Sequence, residues 1–353
     1  MKNVVLTILV LFGSLTYAKL KTEVVMSSEN TVWGFDFINQ DEIVFSHRSG
    51  KLWHYNIKTK KKQEITGLPK IKVYGQGGLL DVLIENTKDK TFVNFTYSKP
   101  VGESINTTLA RAELKENKLI NLKDIFVSKV NSDEKYHFGS RILLKDNMFY
   151  ITIGDRGQRD NSQSLKNHNG TIIRVNKDGS IPKDNPFIKN KDALASIWSY
   201  GHRNPQGIDL NPLTNEIWSV EFGPRGGDEI NLVKPGVNYG WPIITYGKEY
   251  WGPSIGDTHK KGMEQPVKYY VPSISPSGMV FYTGDKIKEW KNHLFIAALG
   301  SEFLMRAEIK NKKVVNEERL LEDLDERIRQ VRNGADGFLY FSTDSGKIYK
   351  VSK

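Results

Sequence analysis

Thr31-Val-Trp-Gly-Phe-Asp-Phe-Ile38, then Glu42-Ile-Val-Phe-Ser46, then Lys51-Leu-Trp-His-Tyr-Asn-Ile57: three apolar, alternating runs follow one another across two short polar breaks, Asn39–Asp41 and Arg48-Ser-Gly50. Alternation built from β-branched and aromatic residues, bounded by Gly, Asn and Asp, is the chemistry of half-buried strands joined by tight turns. Comparable units recur at Arg141–Thr152, Gly207–Val220, Met279–Ala298 and Ile328–Val351. Two of the units end alike, since Ser46–Ile57 and Ser342–Val351 both pass through Ser-Gly-Lys and an aromatic residue before an apolar finish. Repeated strand–turn–strand units predict an all-β chain of propeller blades, whose circular closure protects the sheet edges. Glu317–Glu326 is the best helix candidate, charged and short. No linker or low-complexity tract divides the chain, so one domain is predicted over residues 19–353.

The N-terminus reads as a secretory signal. Lys2 precedes an apolar run from Val4 to Leu15, and Thr16-Tyr17-Ala18 offers small residues for cleavage after residue 18. Export to the periplasm or the medium follows, and no later run is long enough to span a bilayer. The sequence has no cysteine, which removes thiolate catalysis and cysteine–metal sites and leaves the core to hold an exported fold. Its formal charge is +10, from 51 basic and 41 acidic residues. The lysines cluster in turns such as Lys58–Lys62 and Lys310–Lys313 without a recognition motif, so nucleic acid is not an expected partner.

The segment richest in chemistry runs from Ser199 to Pro242. It holds Ser199-Tyr-Gly-His-Arg-Asn-Pro-Gln-Gly207, then Glu221-Phe-Gly-Pro-Arg-Gly-Gly-Asp-Glu-Ile-Asn-Leu232, then Asn238-Tyr-Gly-Trp-Pro242. Turn duty explains the glycines and prolines. It does not explain the density of fork-shaped polar groups at Arg203, Asn204, Gln206, Asp228 and Glu229, which favours a ligand site.

These motifs, with Gly75-Gln-Gly-Gly-Leu-Leu80, His137-Phe-Gly-Ser-Arg141, Thr152-Ile-Gly-Asp155 and Glu326-Arg-Ile-Arg329, resemble those of the soluble pyrroloquinoline quinone (PQQ)-dependent aldose sugar and glucose/sorbosone dehydrogenases. The resemblance covers nearly the whole mature chain. It implies a six-bladed β-propeller that oxidises an aldose at its anomeric carbon by hydride transfer to PQQ, assisted by calcium.

By the same resemblance His137 is the general base, suited to the task because imidazole titrates near ~6.5. Asp155 orients it, and Arg203 faces the reactive quinone oxygens, where a fixed charge stabilises the reduced cofactor. Arg327 and Arg329, two apart on a strand and so on one face, match the pair that binds the cofactor's carboxylates. Gln76, Asn204 and Ser273 match further polar contacts. The carbonyls of Gly223 and Pro224 match a calcium site shared with the cofactor, and Glu229 and Tyr239 match a second, structural one. Oxygen donors in a cysteine-free chain suit that ion. The bland readings are a packed histidine, exposed strand arginines and an Arg203 salt bridge.

Two positions depart from the pattern. Gly300 stands where active members carry a lysine, a loss for which Lys260, Lys261 or Arg306 would have to compensate. Phe222 stands where glutamine or histidine is usual and cannot hydrogen-bond through its side chain. Two other readings therefore stay open: a cofactor-free propeller that binds a sugar or protein, and a calcium-dependent lactonase-like propeller. The arginine pair distinguishes them, since a hydrolase has no need to hold a tricarboxylate. A sugar is the expected small-molecule partner. The electron acceptor has no readable signature, and a homodimer is neither required nor opposed by anything in the chain.

Overall fold

The run quoted first folds as the strands Val32–Asn39, Glu42–His47 and Lys51–Asn56, and Lys62–Ile65 completes a four-stranded antiparallel sheet. A computed structural model describes residues 20–353; the signal expected over residues 1–18 lies outside them. Among these residues the same sheet recurs over 79–127, 142–200, 205–270 and 276–320. A sixth, over 328–352, borrows its outermost strand, Lys21–Ser27, from the other end of the chain. That strand pairs antiparallel with Lys347–Ser352, from Lys21 opposite Ser352 to Ser27 opposite Lys347. The predicted six-bladed propeller is therefore present, and its ring is closed by main-chain hydrogen bonds between the two ends.

Apolar side chains from neighbouring blades interdigitate to form the core. Phe35, Phe45, Tyr340 and Ile348 seal the first blade against the sixth. Phe35 and Phe45 are fully buried, each contributing about 1.5–3 kcal/mol. Carboxylates staple the innermost strands together: Asp36 accepts the Ile84 amide at 2.7 Å, Asp81 the Ile142 amide at 3.0 Å, and Asp209 the Phe281 amide at 2.6 Å.

Arg141 plugs the axis. Its buried guanidinium donates to Gln206 O at 2.7 Å, Arg329 O at 3.0 Å, Trp33 O at 3.3 Å and Asp81 Oδ1 at 3.2 Å, and also to Ser277 O. One side chain on the third blade thus ties down all the other five.

Two expectations need correction. Glu317–Glu326 does not begin a helix: Lys313–Leu320 is the outer strand of the fifth blade, followed by a turn. Its charges decorate an edge, where Glu317 accepts Lys268 at 3.0 Å and Glu318 pairs with Arg306 at 2.9 Å, and such charges discourage edge pairing. The second blade, with its long strands Thr91–Val101 and Ser104–Lys115, was absent from the repeats recognised in the sequence. Its Gly102-Glu103 connection is the signal that marks it, with Gly102 at φ +57°.

Candidate active site

In antiparallel blades the start of the innermost strand and the end of the next lie on the same rim. Gln76, His137, Arg203, Asn204, Ser273 and Arg327 all precede innermost strands, and Arg329 is the second residue of one. Asp155, Gly223 and Pro224 follow second strands, and Glu229 is the second residue of a third. The topology alone gathers these predicted residues at one end of the propeller.

His137 Nδ1 lies 2.6 Å from Asp155 Oδ1. The two flank one hairpin, whose turn residues Asp146 and Asn147 have φ of 51° and 61°. Gly154 makes the close approach feasible, because a Cβ there would lie 2.2 Å from His137 O. His137 itself has φ +58°, a left-handed conformation that surrounding bonds must hold. Gln76 Oε1 accepts its amide at 2.8 Å. Arg156, stacked 3.6 Å over Phe138, donates to the carbonyls of Glu134 and Tyr136 on the same loop.

Asp155 is fully used. Its Oδ1 also accepts the Gly157 amide at 2.9 Å, and its Oδ2 accepts Trp241 Nε1 at 2.9 Å. Burial pushes this carboxyl up, but His137, Arg203 and the Gly157 amide outweigh burial and hold it below the ordinary carboxylate range. Burial lowers the His137 imidazole, helped by Arg203, while Asp155 opposes the shift. The histidine is therefore neutral at neutral pH, with Nδ1 engaged and Nε2 left to accept a proton. Trp241 had no assigned role in the sequence, although it lies in the Asn238–Pro242 motif.

Among the described residues Arg203 has no carboxylate salt bridge through its guanidinium, which donates instead to Phe222 O at 2.9 Å and Gly223 O at 2.7 Å. Its Cζ lies 5.4 Å from the centre of the Trp241 ring. Glu221 Oε2 accepts the Arg203 amide at 2.7 Å, and Glu221 Oε1 is held by His202 Nδ1 and Asn231 Nδ2, each at 2.9 Å. Phe222 contributes main-chain groups, since its amide donates to Asn204 O at 3.1 Å. Its departure from the family residue leaves these bonds intact. Asn204 is buried and acts as a brace, with Oδ1 accepting the Gly139 amide and Gln206 Nε2, each at 3.1 Å.

A rim cleft of about 600 Å³ brings Gln76, His137, Asp155, Arg203, Pro224 and Trp241 together. Arg159, Glu249, Tyr250 and Trp251 complete its wall. Beside it a second cleft, of about 700 Å³, shares Pro224 and Tyr250 and contains Phe222, Arg225, Lys248 and Ser273. The Ser273 hydroxyl donates to Asp228 Oδ2 at 2.7 Å. Beneath Arg203 a small space of about 10 Å³ is lined by Glu221, Gly223, Pro224, Glu229 and Tyr239, room for one water-sized atom. Burial, then the neighbouring Glu221 charge, pushes the Glu229 carboxyl well up.

Arg327 and Arg329 do share a face, but they converge on Asp344. Arg329 grips it with two bonds, 2.8 and 2.9 Å, and Arg327 Nε donates at 3.1 Å. Arg327 also donates to Leu299 O at 3.2 Å, so a guanidinium stands against the carbonyl immediately before Gly300. Of the suggested substitutes for the missing lysine, Arg306 is committed to Glu318, and Lys260 and Lys261 are exposed outside both clefts.

Fold and rim site together define a six-bladed propeller with a carboxylate-held imidazole and a buried guanidinium in one cleft. The chain belongs to the glucose/sorbosone dehydrogenase family of oxidoreductases, whose pattern matches residues 29–350. It is 37% identical over 347 residues to the aldose sugar dehydrogenase YliI of Escherichia coli K12, covering 95% of this chain and 93% of that one. The crystal structure of the soluble aldose sugar dehydrogenase from Escherichia coli in its apo form superposes with a TM-score of 0.89 at 35% identity, covering 95% of this chain and 99% of that one. The PQQ-bound aldose sugar dehydrogenase of Streptomyces coelicolor superposes with a TM-score of 0.77 at 25% identity, with coverage of 95% and 99%. Among the described residues no helix is long and apolar enough to cross a membrane.

Proposed function

We propose that the chain is an exported quinoprotein that oxidises aldoses at the anomeric carbon, with PQQ as hydride acceptor and calcium as its partner ion. The observation that carries the reading is the meeting of His137, Asp155 and Arg203 in one cleft. The family match favours this reading over the cofactor-free and lactonase-like alternatives.

The residues present fit both groups. For the cofactor, the cleft offers a flat aromatic wall at Trp241, the Arg203 guanidinium and an opening on solvent, with Arg225 and Lys248 in the adjoining cleft. For the ion, Gly223 O is already turned toward a cation, the Arg203 guanidinium. Glu221 and Glu229 face one small space from opposite strands, and their mutual repulsion is the kind a cation relieves. Among the described residues no three His, Asp or Glu side chains converge, so main-chain carbonyls would supply much of an oxygen ligand set.

When bound, PQQ would supply the hydride acceptor and calcium, near the Gly223 and Pro224 carbonyls, would supply a Lewis acid. The chain does the rest. His137 Nε2 takes the proton of the anomeric hydroxyl as the C1–H bond breaks, leaving a lactone. Asp155 keeps the other ring proton on Nδ1 and stabilises the imidazolium. Arg203, with no carboxylate on its guanidinium, presents its charge where negative charge develops. Arg327 and Arg329 would meet cofactor carboxylates in competition with Asp344. The reading is tested by titrating chelator-treated protein with PQQ in calcium and following cofactor absorbance. Saturation at micromolar PQQ is expected, and its absence would remove the quinoprotein reading.

A further inference from the structure

The wall of the His137 cleft carries two aromatic side chains that the catalytic scheme does not use. Tyr250 is 65% exposed and Trp251 is 76% exposed. Rings of this size left in water call for an explanation. The backbone shows why they cannot tuck away. Glu249 N donates to Pro253 O at 2.8 Å and Gly252 N to Glu249 O at 3.0 Å, closing a tight turn with the two rings at its tip. Arg225 and Lys248 exchange amide–carbonyl bonds of 3.2 and 3.3 Å at the base of that turn. Arg159 Nη1 then pins Glu249 Oε1 at 2.5 Å from the far side of the cleft.

We propose that Tyr250 and Trp251 form a stacking platform for the sugar ring that follows the reacting one, so that they set this chain's preference between monosaccharides and longer aldose-ended substrates. The inference rests on the sugar-oxidising reading given above. The reacting ring must place its anomeric hydroxyl at His137. What reaches the outer wall is therefore the substituent on its far side, and in an oligosaccharide that is the next ring. A pyranose presents a face of C–H groups that packs on an indole or phenol ring, while its hydroxyls stay in water. An aromatic pair carried at the tip of a hydrogen-bonded turn makes such contact without ordering the backbone. Arg159 is then a positioning residue, acting through Glu249.

The test compares glucose with maltose and maltotriose on the PQQ- and calcium-loaded protein, and uses calorimetry with maltotriitol, which has no anomeric hydroxyl, on the cofactor-free protein. In Trp251→Ala the ratio of kcat/KM for maltotriose to that for glucose falls by about three- to tenfold, the size of one aromatic contact. The fall is expected in KM and not in kcat. Arg159→Gln shows part of the same change, and maltotriitol binds wild type but not Trp251→Ala. An unchanged ratio in both variants, or maltotriitol binding that ignores Trp251, overturns the platform. Failure of wild type to oxidise any sugar refutes the parent reading instead, and the calorimetric comparison still decides the platform.

Discussion

His137 Nδ1 and Asp155 Oδ1 stand 2.6 Å apart, and the carboxylate is in turn held by Trp241 and the Gly157 amide. Asp155 therefore has no freedom to swing, and it fixes both the direction of the imidazole and the nitrogen that carries its proton. Burial lowers the histidine and Asp155 alone among its main neighbours raises it.

Asp155→Asn should lower kcat by about 10²- to 10⁴-fold with a smaller effect on KM. The pH profile gives the sharper check. Activity needs the neutral ring, so kcat/KM should fall on acidification through a value below the ordinary ~6.5 of histidine. Removing the one charge that raises this group must move that limb further toward acid. A limb that moves toward higher pH would show that Asp155 does not act on His137.

Arg141→Met should destabilise the fold by roughly 3–5 kcal/mol, read as a lower denaturation midpoint. The substitution leaves Asp81 short of a charge partner and four carbonyls short of a donor. A loss below about 1 kcal/mol, the scale of an exposed ion pair, would mean that the axial plug does little.

The legibility of the sequence follows the range of the interactions. Strands announced themselves through alternation, and the His137–Asp155 pair was named from the family resemblance; the structure shows that one hairpin with an Asp-Asn turn joins the two. Arg141 lay inside a quoted motif without a role, because its partners come from five other blades and leave no local trace. Ring closure by Lys21–Ser27 is equally non-local. Charge density over Glu317–Glu326 imitated a helix where an edge strand required it. That Tyr250 and Trp251 stand exposed was not legible, since exposure is a property of the fold and not of the residues.

Glu229→Gln should stabilise the calcium-free protein, because it removes a carboxyl whose ionisation is disfavoured by desolvation and by the neighbouring Glu221. The wild type should gain melting temperature on adding calcium and lose it on chelation, whereas the variant should respond weakly. Equal calcium responses in the two proteins would place the ion elsewhere.

Gly300→Lys alone should do little for cofactor affinity. A Cβ at residue 300 meets Ser275 Oγ at 2.6 Å and Ser275 Cβ at 3.1 Å, and Ser275 itself has φ +58°. The pair Gly300→Lys with Ser275→Gly clears that space and restores a cation. It should tighten PQQ binding by about tenfold or more, the scale of one charge-assisted hydrogen bond. Equal PQQ affinity in the pair and in wild type would show that Arg327 already supplies the missing charge.

The central claim is most directly tested by adding glucose and a dye acceptor to protein loaded with PQQ and calcium, beside His137→Ala loaded in the same way. The account predicts steady dye bleaching in the wild type, and in the variant retained PQQ binding with bleaching lowered by about 10²-fold or more. Bleaching of equal rate in both would contradict it, because the proton would then be leaving the sugar without His137.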